Sequence, residues 1–184
     1  MRHLIAILCL LGAPAFADCP APKNVSDKLD ALFAQARAAE TDQAGQEISG
    51  RMWALWLRAP DDAAQEVLDR GMRKRQVHDY AGALKDFTRL AEYCPLYAEG
   101  FNQRAFVHFL REDYPRALED LDAALALQPR HVGAQSGRAL TLMNLDRIAE
   151  ARLQLQKALQ NNPWLSERFL LAAGGPLAPD GDDI

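Results

Sequence analysis

The chain has 184 residues, of which 49% are hydrophobic and 25% charged, with 11 Gly and 10 Pro. That composition belongs to a globular protein and excludes a disordered chain, a collagen-like rod and a many-pass membrane protein. A formal charge of −4 offers no basic footprint for nucleic acid. Ala and Leu are abundant while Ile, Val and Thr are scarce, a bias toward helix over strand.

Residues Met1 to Ala17 read as a secretory signal peptide. Arg2 gives a positive start, Leu4 to Leu11 is a continuous apolar run, and Ala15-Phe16-Ala17 is a small-x-small cleavage site. The run is too short to span a bilayer, so no stable membrane insertion is expected once it is cleaved. An uncleaved anchor is the alternative. A lipoprotein fits worse, because Asp18 rather than a small residue precedes Cys19. Cys9 leaves with the signal. The mature chain keeps Cys19 and Cys94, an even pair in an exported, oxidising setting, which predicts one disulfide over two unrelated thiols. The implied location is periplasmic or secreted.

Residues 18–63 carry a helical hairpin. Leu29, Leu32, Phe33 and Ala36 follow helical spacing, with Ser26 or Asp27 as N-cap. After a break at Thr41–Gln43, a second helix runs from about Ala44 to Arg58, with Ile48, Met52, Leu55 and Trp56 on one side. Pro60-Asp61-Asp62 closes it and caps the next helix. Trp53 and Trp56 read as residues sealing the end of a core, with ligand stacking as the alternative.

Residues 64–97, 98–131 and 132–165 repeat one another without gaps. Pro95, Pro129 and Pro163 are spaced by 34, and 12 residues before each stands Ala83, Ala117 or Ala151. A further 12 back stand Gly71, Ala105 and Ala139, each preceded by an arginine: Arg70, Arg104 and Arg138. Phe87, Leu121 and Leu155 fill an equivalent apolar position, and Leu90, Ala124 and Ala158 another. A period of this length marks a solenoid of helix pairs. Small residues let paired helices approach, the large apolar residue fills their seam, and proline ends the second helix. Each pair buries its faces by stacking on its neighbours. Ion pairs Arg70–Asp86 and Arg104–Asp120 are expected within the first two repeats, whereas Arg138 meets the weaker Gln154.

Residues 166–175 should form a short capping helix, with Trp164, Leu165, Phe169 and Leu170 covering the last repeat. Residues 176–184 read as a flexible acidic tail. Asp180, Asp182 and Asp183 lack the spacing of a calcium loop.

These repeats closely resemble the tetratricopeptide repeat family, and the chain is similar to small exported bacterial members. The resemblance implies an all-α fold: a right-handed α-solenoid with an N-terminal degenerate hairpin and a C-terminal capping helix. The hairpin is expected to stack directly ahead of the first repeat. Residues 19 to 26 extend about 23 Å at roughly 3.3 Å per residue, so Cys19 can reach Cys94.

The resemblance also implies a concave groove built from the first helix of each repeat. Carried over, its candidates in the first repeat are Leu68, Met72 and Arg75. Those of the second are Asn102, Phe106 and Phe109, and those of the third are Ser136, Leu140, Met143 and Asn144. Such a groove accepts an apolar helix or extended peptide. Asn102 is placed to bond a peptide backbone, and the capping helix is a competing occupant. The family's carboxylate clamp is argued against, because Leu68, Met72, Gln103, Gly133 and Gly137 replace its basic and amide residues.

No HExxH, Walker loop, GxSxG or CxxC is present. His78 and His131 fall in or beside turns, and His108 reads as a neutral packed imidazole. No cofactor, metal or catalytic set is expected, and an enzyme is disfavoured. The leading expectation is an exported adaptor binding another protein or peptide. The alternatives are an envelope-assembly or cytochrome c maturation accessory holding an unfolded client, and a self-assembling structural protein. The oligomeric state is left open.

Overall fold

The computed structural model describes residues 18–179. The signal-peptide reading of Met1 to Ala17, with Cys9, lies outside the described residues, as do Asp180, Asp182 and Asp183. Among the described residues there is helix and no strand. The order is α1 (Ser26–Ala38), α2 (Asp42–Trp56), α3 (Asp62–Gln76), α4 (Tyr80–Tyr93), α5 (Ala98–Leu110), α6 (Tyr114–Leu127), α7 (Val132–Asn144), α8 (Ile148–Asn161) and a 3-10 helix (Ser166–Leu171). The chain is an α-solenoid of helical hairpins, α3–α4, α5–α6 and α7–α8, each stacked on the next.

Local chemistry sets the helix ends. Thr41 Oγ1 accepts from Ala44 N at 3.2 Å and Asp61 Oδ1 from Ala64 N at 2.7 Å, so side chains satisfy donors at the starts of α2 and α3. For α1 the expected Ser26 or Asp27 cap is not used. The N-cap is Val25, and Asn24 Oδ1 accepts from Ser26 N instead. The first helix of each repeat ends in the same turn. His78, Glu112 and Asp146 have φ of 64°, 60° and 57°. The paired bonds His78 N to Arg75 O and Asp79 N to Lys74 O recur in the next two repeats. This is the Schellman arrangement, built here on non-glycine residues in the left-handed region.

Inside each hairpin the small residues do what close packing needs. A Cβ on Gly71 would meet the Phe87 ring at 2.5 Å. Phe87 is wholly buried with Ala83, Leu90 and Leu68, and full burial of such a side chain contributes about 1.5–3 kcal/mol. Arg70 Nε and Nη2 donate to Asp86 Oδ1 at 3.1 and 2.9 Å, and Lys74 Nζ meets Oδ2 at 2.8 Å. Arg104 repeats the pattern on Asp120 at 2.8 and 2.6 Å. Arg138 reaches Gln154 at 3.3 Å and gains a partner the repeat did not reveal, Asp122 at 2.7 Å. Burial pushes the Asp86 carboxyl up, but the bonds from Arg70 and Lys74 outweigh this and hold it below the ordinary aspartate range.

The N-terminal hairpin is not stacked ahead of the first repeat. It lies along the edge where second helices end and first helices begin, and touches all three such turns. At the first turn Cys19 is disulfide-bonded to Cys94, and Tyr97 donates its hydroxyl to Trp56 O at 2.7 Å. At the second, Val132 packs among Leu29, Leu32, Phe33 and Trp56, and Arg130 pairs with Asp30. At the third, Trp164 Nε1 donates to Ala36 O at 2.8 Å, Gln46 to Trp164 O at 2.8 Å, and Asn162 to Ser49 at 2.8 Å. Two glycines allow this seat: Gly45 lies against the Trp164 ring and Gly133 against Trp53. Burial favours the arrangement, because the apolar stripe of α1 and α2 finds partners at every turn.

The C-terminal expectations hold in part. Residues 166–171 form a capping helix of 3-10 type, and Leu165, Leu170 and Leu171 pack on the last repeat, but Phe169 is 66% exposed with Arg168 over its ring. Trp164 inserts into the hairpin rather than covering the last repeat. The tail also begins docked. Leu177 is wholly buried beside Leu155 and Ala158, and Arg152 donates to Leu177 O and Ala178 O.

Cys19 and Cys94 close a sequence separation of 75 residues. Reduction, or the double Cys19→Ser, Cys94→Ser change, should lower stability by about 4 kcal/mol if cross-linking acts by restricting the unfolded chain. Urea unfolding with and without reductant measures this, and equal midpoints would refute it. Asp86 gives a pH signature. Its lowered folded value means that its contribution is complete above the ordinary 3.8 and disappears as pH falls through the folded value. Asp86→Asn should cost about 1–3 kcal/mol near neutrality and flatten the acid limb of stability against pH. An unchanged acid limb would show that the pair is not responsible.

Candidate functional site

The first helices of the three repeats, α3, α5 and α7, form one wall of a cavity of about 420 Å³. Met72 and Arg75 come from α3, Asn102, Phe106 and Phe109 from α5, and Ser136 and Leu140 from α7. Phe106 is 45% exposed within it. Trp53 and Leu57, at the end of α2, close one side, and Glu167 of the 3-10 helix stands at another. The 3-10 helix thus borders the groove without filling it.

Three of the residues carried over from the repeat pattern are placed elsewhere. Leu68 is wholly buried in the core of the first hairpin, where Leu57 and Ala59 from the α2–α3 link also pack. The edge-on seat of the hairpin brings that link down onto α3 and removes Leu68 from the groove. Met143 packs against the Leu142–Leu155 core, and Asn144 donates to Leu140 O at 2.8 Å, closing the end of α7. Neither lines the cavity. Asn102 commits one of its two amide hydrogens to Glu99 Oε2 at 3.1 Å.

Beneath the groove runs a buried polar chain that the sequence did not reveal. Arg75 donates to Gln103 Oε1, and Gln103 donates to Glu99 Oε1. Glu99 Oε2 lies 2.7 Å from His131 Nε2, and both side chains are inaccessible to solvent. His131 Nδ1 accepts from Ala134 N at 3.2 Å and caps α7. With Nδ1 accepting, the ring proton sits on Nε2 and points at Glu99. The carboxylate then receives three donors, which makes its burial tolerable. Trp56 stacks on the imidazole at 4.2 Å with planes 20° apart. Trp53 meets the same ring edge-on. Histidine placed just before a helix start was the available signal, but the partner 32 residues away was not.

Arg75 is the cation of the groove. Its guanidinium lies 4.7 Å from the Phe106 ring centroid, and its hydrogen-bond partner is an amide rather than a carboxylate. Burial pushes its pKa down, with Glu99 opposing. Cation–π contact and a neutral partner leave its charge available to a ligand. Burial pushes the His108 imidazole down, with Asp120 and Asp113 opposing. Among the described residues no group of three or more His, Cys, Asp and Glu is arranged to hold a metal. No helix among them is long and apolar enough to cross a membrane.

No family model matches the chain. A tetratricopeptide repeat-containing protein of Rhizobium etli is 24% identical over 152 residues, covering 77% of this chain and 74% of that protein. A tetratricopeptide repeat protein 36 homolog of Nematostella vectensis is 38% identical over 76 residues. That match covers 41% of each protein, so the chain spans less than half of that relative's length. Among solved structures, the first TPR domain of Spaghetti (RPAP3), bound to an HSP90 peptide, matches with a TM-score of 0.55 and 22% identity. It covers 56% of this chain and 82% of that one, a likeness of fold. The matching period, the paired helices and these relatives agree: the 34-residue units of this chain are tetratricopeptide repeats.

Proposed function

We propose that the chain is an exported adaptor that binds an apolar segment of another protein in the groove between α3, α5 and α7. The observation that carries this is the cavity of about 420 Å³ in which Met72, Phe106, Phe109 and Leu140 converge from three separate repeats. Phe106 keeps 45% of its surface in solvent, although burial would favour it strongly. A bound segment supplies that burial. Met and aromatic side chains adapt to an incoming helix or extended strand. Arg75 at the same surface favours an acidic residue next to the apolar anchor.

The structural neighbour bound to an HSP90 peptide supports peptide binding as the mode of action. A terminal-carboxylate clamp is not the form proposed here. Leu68 is buried, and Gly133 and Gly137 offer no side chain at positions where that clamp is basic. Export is proposed from the Met1 to Ala17 pattern and is supported by the Cys19–Cys94 bond, which suits an oxidising compartment.

The Phe106→Glu, Phe109→Glu double variant should retain its helical circular dichroism and lose the partner captured by crosslinking in intact cells. Undiminished capture by the folded variant would refute the groove. N-terminal sequencing of the protein from its host should begin at Asp18. A chain beginning at Met1 would refute export by cleavage.

A further inference from the structure

A second cavity lies away from the groove, between the N-terminal hairpin and the turns that follow α4 and α6. Its volume is about 550 Å³, within the range of about 300–1,000 Å³ usual for small-molecule sites. Its walls are apolar where α1 and α2 meet the repeat edge, through Leu29, Phe33, Leu55, Tyr97 and Leu127. Leu127 and Leu96 beside it remain 39% and 61% exposed. The hairpin therefore covers this edge incompletely and leaves an apolar hollow.

The charged residues that line the hollow are all of one sign. Its charged lining residues are Lys23, Arg58 and Arg130, with no Asp or Glu among them. This is a local excess of cations in a chain of net charge −4. Arg130 is held over the Phe33 ring and pairs with Asp30. Lys23 and Arg58 make no ion pair among the described residues. Trp56 lines the same cavity, but its indole N–H is closed to solvent and the Tyr97 hydroxyl already donates to Trp56 O, so neither serves a ligand.

We propose that this cavity is a binding site for a small amphipathic anion, an acyl carboxylate. The acyl chain lies against Leu29, Phe33, Leu55 and Leu127. The carboxylate charge is matched by Lys23 and Arg58, with the Asp30-paired Arg130 beside them. The site is separate from the groove: Trp56 faces this cavity, while Phe106 and Phe109 face the other.

Isothermal titration of the intact protein with decanoate, below its micelle concentration, tests the proposal. Decanol and decyltrimethylammonium serve as neutral and cationic probes of equal chain length. Decanoate should bind saturably at one site, more tightly than either, and its affinity should fall with added salt. Lys23 and Arg58 are exposed, so the Lys23→Glu, Arg58→Glu double variant should keep its circular dichroism while losing affinity by about tenfold or more. Absence of saturable binding would overturn the proposal. So would equal binding of the cationic probe, or undiminished binding in the double variant. Loss of decanoate binding in the Phe106→Glu, Phe109→Glu variant alone would assign the ligand to the groove and overturn the proposal as well.

Discussion

A proline at the end of each repeat's second helix is the constraint from which the rest of this structure follows. Pro95, Pro129 and Pro163 cannot extend the hydrogen-bond ladder, so α4, α6 and α8 stop at equivalent places. The turns after them therefore line up along one edge. Such an edge exposes unpaired carbonyl and amide groups at helix ends, and here it also carries apolar surface from Tyr97, Val132 and Leu165. The α1–α2 hairpin answers both needs. It buries that surface and exchanges hydrogen bonds with the turns through Trp56, Ala36 and Ser49.

This arrangement changes the mechanics of the solenoid. A simple stack of repeats has only nearest-neighbour contacts, and its stability is a sum of local terms. Here the bond from Trp164 to Ala36 joins residues 128 apart, and the disulfide joins residues 75 apart. Opening the third repeat therefore also removes contacts that hold the hairpin against the first. The energetic consequence is greater cooperativity across the three repeats. The Glu99–His131 pair adds to it, since it links the start of α5 to the start of α7 beneath the hairpin's Trp56.

The repeat itself was legible because it is a local, periodic demand. Gly71, Ala83 and Phe87 meet within one hairpin, and Arg70 finds Asp86 only 16 residues away, so one frame repeated three times exposes each role. The groove candidates Met72, Arg75, Phe106, Phe109 and Leu140 came instead from the family resemblance laid onto that frame. What the frame did not contain was the position of the hairpin. Helical spacing in α1 and α2 identifies an apolar stripe without saying which surface it covers. The answer lies in single contacts such as Gly45 with Trp164 and Gly133 with Trp53, which recur nowhere else. The misplacement of Leu68 has the same origin: the link after α2 lands on α3 only because the hairpin lies edge-on.

The hairpin then governs more than stability. Repeat helices supply the floor of the groove, and their small and apolar residues are largely dictated by packing between neighbours. Trp53 and Leu57 lie outside the repeats, yet they form a wall of the cavity that holds Phe106. One helical turn from Trp53, Trp56 stands on the wall of the second cavity and against His131. A helix turn is rigid on the scale of side-chain contacts. A shift of α2 at one cavity therefore moves the wall of the other. The disulfide and the Trp164 contact hold α2 at two distant points and limit that shift. The hairpin, whose sequence is free of the repeat, thus supplies a wall to each cavity, while the repeats give the fold its form.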